Sequence, residues 1–143
     1  MTSAHLSAQP TWLLARVHAR SRAHLTAAFE PFGLRPLHYR AMSTLAENGG
    51  LSQAELGRLL GLDRKDVALA VDLLERDRLI RRTPDPEDAR RKTVTLTAKG
   101  RRLMPQLDEA LAAAQSALLS PLPARDRRVF VELLDRLNDG PAR

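Results

Sequence analysis

Apolar residues recur at spacings of three and four along most of this chain, and alternate with polar ones in one short stretch. Between Pro10 and Phe32, the positions Leu14, Val17, Ser21, Leu25, Ala28 and Phe32 form such a stripe, which predicts one long helix. Pro31 and Gly33 punctuate its end. Pro36 suits the first turn of a second helix, running to about Glu47 with Tyr39, Met42 and Leu45 inward, and Asn48-Gly49-Gly50 closes it. Ser52-Gln53-Ala54-Glu55 has the form of a capping box, in which the hydroxyl caps the helix start and Glu55 reaches back to the cap amide. The helix it opens is short, ending near Leu60. Gly61-Leu62 makes a tight turn, and Asp63 caps a further helix to about Asp77 with Val67, Ala70, Val71 and Leu74 facing in.

The period then changes. Leu79-Ile80-Arg81-Arg82-Thr83 and Thr93-Val94-Thr95-Leu96 are short runs rich in branched residues and read as strands. The segment between them, Pro84 to Lys92, is too polar for a core and opens with too much proline for a helix, so it reads as a hairpin loop. Thr97 caps a long helix with Leu103, Leu107, Leu111, Ala114 and Leu118 on one face, which Pro105 should kink. Ser120-Pro121-Leu122-Pro123 breaks the chain before a last helix, Pro123 to about Asn138, with Val129, Phe130, Leu133, Leu134 and Leu137 apolar. Residues 1–10 are small and polar and are expected to fray.

The pattern is mainly α with a small β-hairpin. A chain of 143 residues suits one domain and needs no metal or disulfide to hold it together. Cysteine is absent, which removes thiol nucleophiles, thiol redox sensing and Cys-based zinc sites, and fits a reducing cytoplasm. The formal charge of +6 favours an anionic partner. No apolar run approaches the ~20 residues of a membrane span, and the first ten residues lack the basic and apolar regions of a signal peptide, so no membrane partner is expected. The four histidines lie in the first 38 residues; His18 and His24, six apart, do not share a helix face well. No metal site is expected, and no cofactor. Nothing in the chain resembles a phosphate-binding loop, a nucleophile–base arrangement or a paired-carboxylate setting, so it is not read as an enzyme.

From Ser52 to Asp77 the proportions are those of a helix-turn-helix, whose second helix lays its N-terminal half into the major groove. A polar hairpin directly after it, carrying Arg90, Arg91 and Lys92, is what a wing needs to reach the minor groove or the phosphates. The order of these parts is more specific than either alone. Asp85 to Gly100 resembles the wing signature of the MarR family of transcription regulators: Asp, any residue, Arg, then a strand ending in Leu-Thr-x-x-Gly. Leu34 to Arg40 and Leu51 to Leu56 resemble the family's second-helix entry and its supporting helix.

The resemblance covers about Pro10 to Asn138. It implies a single winged-helix regulator domain over 1–143, with dimerisation helices at 10–32 and 98–138, a DNA-binding lobe at 36–97 and a wing at 79–96. It further implies an obligate homodimer, a pseudo-palindromic operator in double-stranded DNA, and relief by a small aromatic or phenolic effector; a repressor is expected, with activation kept as an open alternative. On this footing the DNA-binding residues are Ser52, Gln53, Arg64, Lys65, Asp66, Ala68, Leu69, Asp88, Arg90, Arg91 and Lys92. Arg90 is the minor-groove arginine, held by an ion pair with Asp88. Arg58, Arg76, Arg81, Arg82, Arg101 and Arg102 are further phosphate candidates. The effector residues to test are Trp12, Arg16, His18, His38, Tyr39 and Met42, although Trp12, Tyr39 and Met42 also suit a core. Zinc-sensing members carry histidines on the long helix after the wing, and this chain has none there.

Several positions depart from the family. Leu69 stands where an Arg is common, and Leu73 stands near another usual basic position. Either the two touch thymine methyls or they pack inside a slightly rotated helix; packing is expected, because buried leucines are the commoner case. Asp66 either accepts from a cytosine or, as is preferred, complements the helix dipole. Arg78 replaces the usual Gly, so the helix before it is expected to end differently. Two alternatives stay open: a winged-helix protein-interaction module, and a regulator with no small-molecule effector.

Overall fold

The computed structural model describes residues 3–141. In chain order its elements are α1 (Ala4–Ser7), α2 (Pro10–Phe29), a 3-10 turn (Glu30–Phe32), α3 (Pro36–Asn48), β1 (Leu51–Ser52), α4 (Gln53–Leu60), α5 (Arg64–Arg76), β2 (Ile80–Pro84), β3 (Lys92–Leu96), α6 (Ala98–Leu118) and α7 (Ala124–Asn138). The first of these corrects the expectation of a frayed start. Ser3 accepts the Leu6 N–H on its hydroxyl at 3.2 Å, and that cap holds one helical turn. α6 continues through Pro105 as one helix.

The hairpin gains a third strand. β3 lies between β1 and β2, both antiparallel to it, with Leu51 opposite Val94 and Ile80 opposite Leu96. β1 has only two residues, too few to show alternation in the sequence.

The chain divides into two units, with the boundaries inside α2 and α6. One unit is Leu25–Leu111. It holds a continuous core of Phe29, Met42, Leu45, Leu56, Val71, Leu74, Ile80, Val94 and Leu107, all at most 2% exposed. The other unit takes in the chain up to His24 and from Ala112 onward. Among its described residues only Ala114 is buried. Its helices leave Leu13, Leu14 and Val17 of α2, and Val129, Val131, Leu133, Leu134 and Leu137 of α7, exposed. The stripes that predicted α2 and α7 are therefore real, but in this unit one chain leaves them largely uncovered.

The Leu-Thr-x-x-Gly signature has a packing explanation. Thr97 donates its N–H to the Leu79 carbonyl at 3.0 Å and its hydroxyl to the Arg78 carbonyl at 2.6 Å. The same hydroxyl accepts the Gly100 N–H at 3.0 Å. The start of α6 is thus pinned on the carbonyls that follow α5. Gly100 passes so close to the Leu79 carbonyl that a Cβ there would sit well inside van der Waals contact with backbone. Lys99 adds a bond from Nζ to the Asp77 carbonyl at 2.9 Å.

Arg78 does not change how α5 ends. It takes the left-handed conformation itself, at φ +60°. The Leu79 N–H reaches back to the Leu74 carbonyl at 2.9 Å and the Arg78 N–H to Glu75 at 2.9 Å, the bonding of a Schellman ending. The expectation of a different ending is corrected: the turn survives, and the side chain bears the strain. Substituting Gly100→Ala should cost about 3 kcal/mol of unfolding free energy, because backbone must move to admit a methyl group. Arg78→Gly should instead gain about 0.5–1 kcal/mol, relief of the left-handed strain exceeding the added chain entropy. Denaturant unfolding at one fixed chain concentration checks both; a loss for Arg78→Gly contradicts the left-handed ending.

Candidate nucleic-acid interface

Three local devices set the two helices. Ser52 and Glu55 form the reciprocal capping box, the Glu55 N–H to the Ser52 hydroxyl at 3.1 Å and the Ser52 N–H to the Glu55 carboxylate at 2.9 Å. These hydrogen bonds hold the Glu55 carboxyl below its ordinary range. Gly61 turns the chain at φ +68°, which lets the Leu62 N–H return to the Gly57 carbonyl at 2.9 Å. Asp63 then caps α5, accepting the Asp66 N–H at 2.8 Å.

α5 buries Val67, Ala70, Val71 and Leu74 and partly buries Leu73, which packs against the core. Lys65, Leu69, Asp72 and Arg76 are all exposed and recur at spacings of four, three and four, so they form its outward face. Leu73 packs as expected. Leu69 does not: it is 59% exposed, and the expectation that it packs is corrected. The reason is angular. The buried set already occupies one side of the helix, and Leu69 points almost opposite to it.

The wing tip is shaped by aspartates acting on backbone. Asp85 accepts the Glu87 N–H at 2.9 Å and Asp88 the Arg90 N–H at 3.0 Å. The Asp85 N–H donates to the Arg91 carbonyl at 2.8 Å, and the Arg91 N–H to the Asp88 carbonyl at 2.9 Å. The Arg90 guanidinium lies 3.6 Å from Asp88 and its side chain is 94% exposed. Asp88 therefore orders the turn more than it holds the guanidinium. Arg90, Arg91 and Lys92 all project into solvent.

One constellation was missed by sequence reasoning. Arg82, on β2, donates from Nη2 to Asp72 at 2.8 Å and to Glu75 at 2.9 Å, both on α5. Its backbone N–H donates to the second Glu75 oxygen at 3.1 Å, and Nη1 lies 3.5 Å from the Gln53 carbonyl oxygen on α4. Hydrogen bonding to Arg82 holds the Glu75 carboxyl below its ordinary range and raises Arg82 further. Arg82 thus leaves the set of phosphate candidates. The only available signal was Asp72 and Glu75 at a spacing of three, which does not name a partner on another element. Arg101 is also engaged, donating to the Leu96 carbonyl at 2.9 Å.

Of the expected DNA-binding residues, Arg64, Lys65, Asp66, Leu69, Arg90, Arg91 and Lys92 are exposed, while Ser52, Gln53, Ala68 and Asp88 are partly buried. All eleven lie in Leu25–Leu111. The expected effector residues divide. Trp12, Arg16 and His18 belong to the first and last segments' unit, with Trp12 partly buried and the other two exposed. His38, Tyr39 and Met42 belong to the core unit, with His38 and Met42 buried. Tyr39 stacks on Phe29 at 5.0 Å and donates to Asp108 at 2.7 Å; burial and that bond push its phenol up. Among the described residues no group of three His, Cys, Asp or Glu is placed to hold a metal ion, and no helix is long and apolar enough to cross a membrane.

The family model described as the MarR family matches residues 32–91. The chain is 31% identical over 126 residues to the HTH-type transcriptional repressor Rv2887 of Mycobacterium tuberculosis, covering 88% of this chain and 91% of that one. Among solved structures it is similar to a probable transcriptional regulator from Pseudomonas aeruginosa (TM-score 0.84, 31% identity, 92% of this chain and 98% of that one). It is also similar to the PcaV transcriptional regulator from Streptomyces coelicolor in complex with its natural ligand (TM-score 0.77, 29% identity, 98% and 99%).

His38 gives this region a pH response. Its Nδ1 accepts the Arg35 N–H at 2.9 Å, closing the start of α3, which only the neutral ring can do. Burial, then the Arg35 charge, push His38 below its ordinary value of about 6.5, against a smaller opposing pull from Asp77. The unfolded chain therefore takes up this proton first. Its contribution to stability is complete above about pH 6.5 and is lost as pH falls from there toward the lower folded value. The denaturant midpoint should fall between about pH 7 and 5, before the carboxylates titrate, and His38→Gln should flatten that slope.

Proposed function

The chain belongs to the MarR family of transcription regulators, and on that premise we propose a homodimeric repressor that binds a pseudo-palindromic operator and releases it on binding a small aromatic or phenolic effector. It is a DNA-binding transcription regulator and not an enzyme. The observation that carries the reading of the interface is the pairing of a capped helix-turn-helix, whose outward face exposes Lys65 and Leu69, with an adjoining wing whose Arg90, Arg91 and Lys92 are unburied.

In this reading α5 enters the major groove and the wing reaches the flanking minor groove with Arg90. Arg64, Lys65, Arg91 and Lys92 supply phosphate contacts, and Ser52, Gln53, Asp66, Ala68 and Asp88 position or border the face. Two copies of α5 sit about one helical turn apart, ~34 Å, on adjacent major grooves. The dimer is supported by the uncovered leucines and valines of α2 and α7, more apolar surface than a small helical unit leaves to water. An effector is supported by the ligand-bound relative from Streptomyces coelicolor. Trp12, Arg16, His18, His38, Tyr39 and Met42 remain the residues proposed for it. A coupling of about 1–3 kcal/mol would suffice for release. A cytoplasmic location belongs to the same proposal.

Fluorescence anisotropy against the DNA upstream of the protein's own gene, with a scrambled competitor and two salt concentrations, tests the reading. Binding should be selective and fall steeply with salt. Arg90→Ala should weaken it about tenfold and lower the salt slope by about one, with an unchanged melting curve, since its guanidinium makes one loose contact. Wild-type affinity in Arg90→Ala removes the wing assignment. Sedimentation at micromolar concentration should give twice the chain mass. A double substitution of exposed apolar residues on α7, Leu133→Lys with Leu137→Lys, should give the single chain and lose operator binding; an unchanged dimer places the interface elsewhere.

A further inference from the structure

We infer that Leu69 reads the methyl group of a thymine on the floor of the major groove and so determines sequence specificity; this deepens, and rests on, the DNA-binding reading above. Leu69 is 59% exposed, while the other large apolar residues of α5 are buried or packed against the core. Folding gains almost nothing from it. It is the sixth residue of α5 and lies at the middle of the outward face, between Lys65 one turn before and Asp72 one turn after. That places it in the half of a recognition helix that meets base edges.

Its neighbours sharpen the inference. One carboxylate oxygen of Asp72 accepts from Arg82 at 2.8 Å, so the charge beside Leu69 is partly met within the protein although the side chain stays exposed. Ala68, beside Leu69, carries no polar group and is partly buried. A leucine side chain neither donates nor accepts. It cannot pair with the acceptors of guanine, the donor and acceptor of adenine, the amino group of cytosine, or a phosphate oxygen. The one apolar group on the major-groove floor is the C5 methyl of thymine. An arginine at this position would select guanine; a leucine replaces that pairing with a preference for a methyl.

Selection by the full chain from a random double-stranded DNA library supplies the operator. Each thymine in it is then replaced singly by deoxyuridine, which removes only the methyl, and affinity is measured at one salt concentration. One thymine per half-site should prove sensitive, its replacement weakening binding about fourfold, the factor expected for one buried methyl. Leu69→Ala should bind the thymine and deoxyuridine duplexes equally, and should unfold at the wild-type denaturant midpoint because the side chain is exposed. The inference is overturned if no thymine is sensitive in the wild type, or if Leu69→Ala keeps the full deoxyuridine penalty. If selection enriches no sequence at all, the DNA-binding reading itself falls and this inference with it.

Discussion

A guanidinium drawn partly out of water has to find acceptors, and Arg82, with a side chain 22% exposed, finds two carboxylates on one helix. Asp72 and Glu75 lie one turn apart on α5, and Arg82 stands at the second residue position after the strand's first, Ile80. The backbone N–H of Arg82 also bonds Glu75, so the strand as well as the side chain is held. A slip of one residue along β2 would turn Arg82 to the other face of the sheet and strand both carboxylates. Both carboxylates keep contact with water, so what the arrangement supplies is direction more than energy. The wing therefore has one register relative to α5, and the face of α5 and the cations of the wing are presented together.

The two halves of that surface do different chemistry. The wing carries its charge on exposed residues, of which Arg90 has one loose contact with Asp88, while its shape is fixed by Asp85 and Asp88 bonding to nearby backbone. Charge of this kind contacts phosphate and groove shape and gives affinity that salt weakens. The middle of α5 carries a leucine and an aspartate already engaged within the protein. The face of α5 and the cations of the wing are joined by one internal arginine, Arg82.

The sequence carried the elements better than their meetings. The capping box at Ser52 and Glu55, the turn at Gly61 and the cap at Asp63 are local devices spelled out over three or four residues, and each was legible for that reason. β1 was not, because its two residues gain their strand geometry only from pairing with Thr93 and Val94 far along the chain. The same holds for Arg82 and for Tyr39 with Asp108: their partners lie on other elements, and no spacing encodes such a contact. Leu69 failed for a statistical reason. Leucines are usually buried, but its angle on α5 already placed it opposite Val67, Val71 and Leu74. The ending of α5 at Arg78 fails conversely: the cost of about 1 kcal/mol for a non-glycine in a left-handed cap predicts a different ending, whereas the surrounding bonds hold an arginine there.

Among the described residues, the near absence of buried side chains outside Leu25–Leu111 has a consequence for how much active protein a cell contains. On the proposed homodimer, the exposed leucines and valines of α2 and α7 are covered by a second copy of the chain. On the dimer proposed here, formation of the working regulator is second order in chain concentration. At low expression the amount able to occupy an operator then rises with the square of the amount synthesised, and at high expression in proportion to it. A modest change in synthesis or turnover near the crossover is amplified before any effector acts. On that dimer, the exposed stripes of α2 and α7 would give the circuit a threshold, set by the strength of the interface they form.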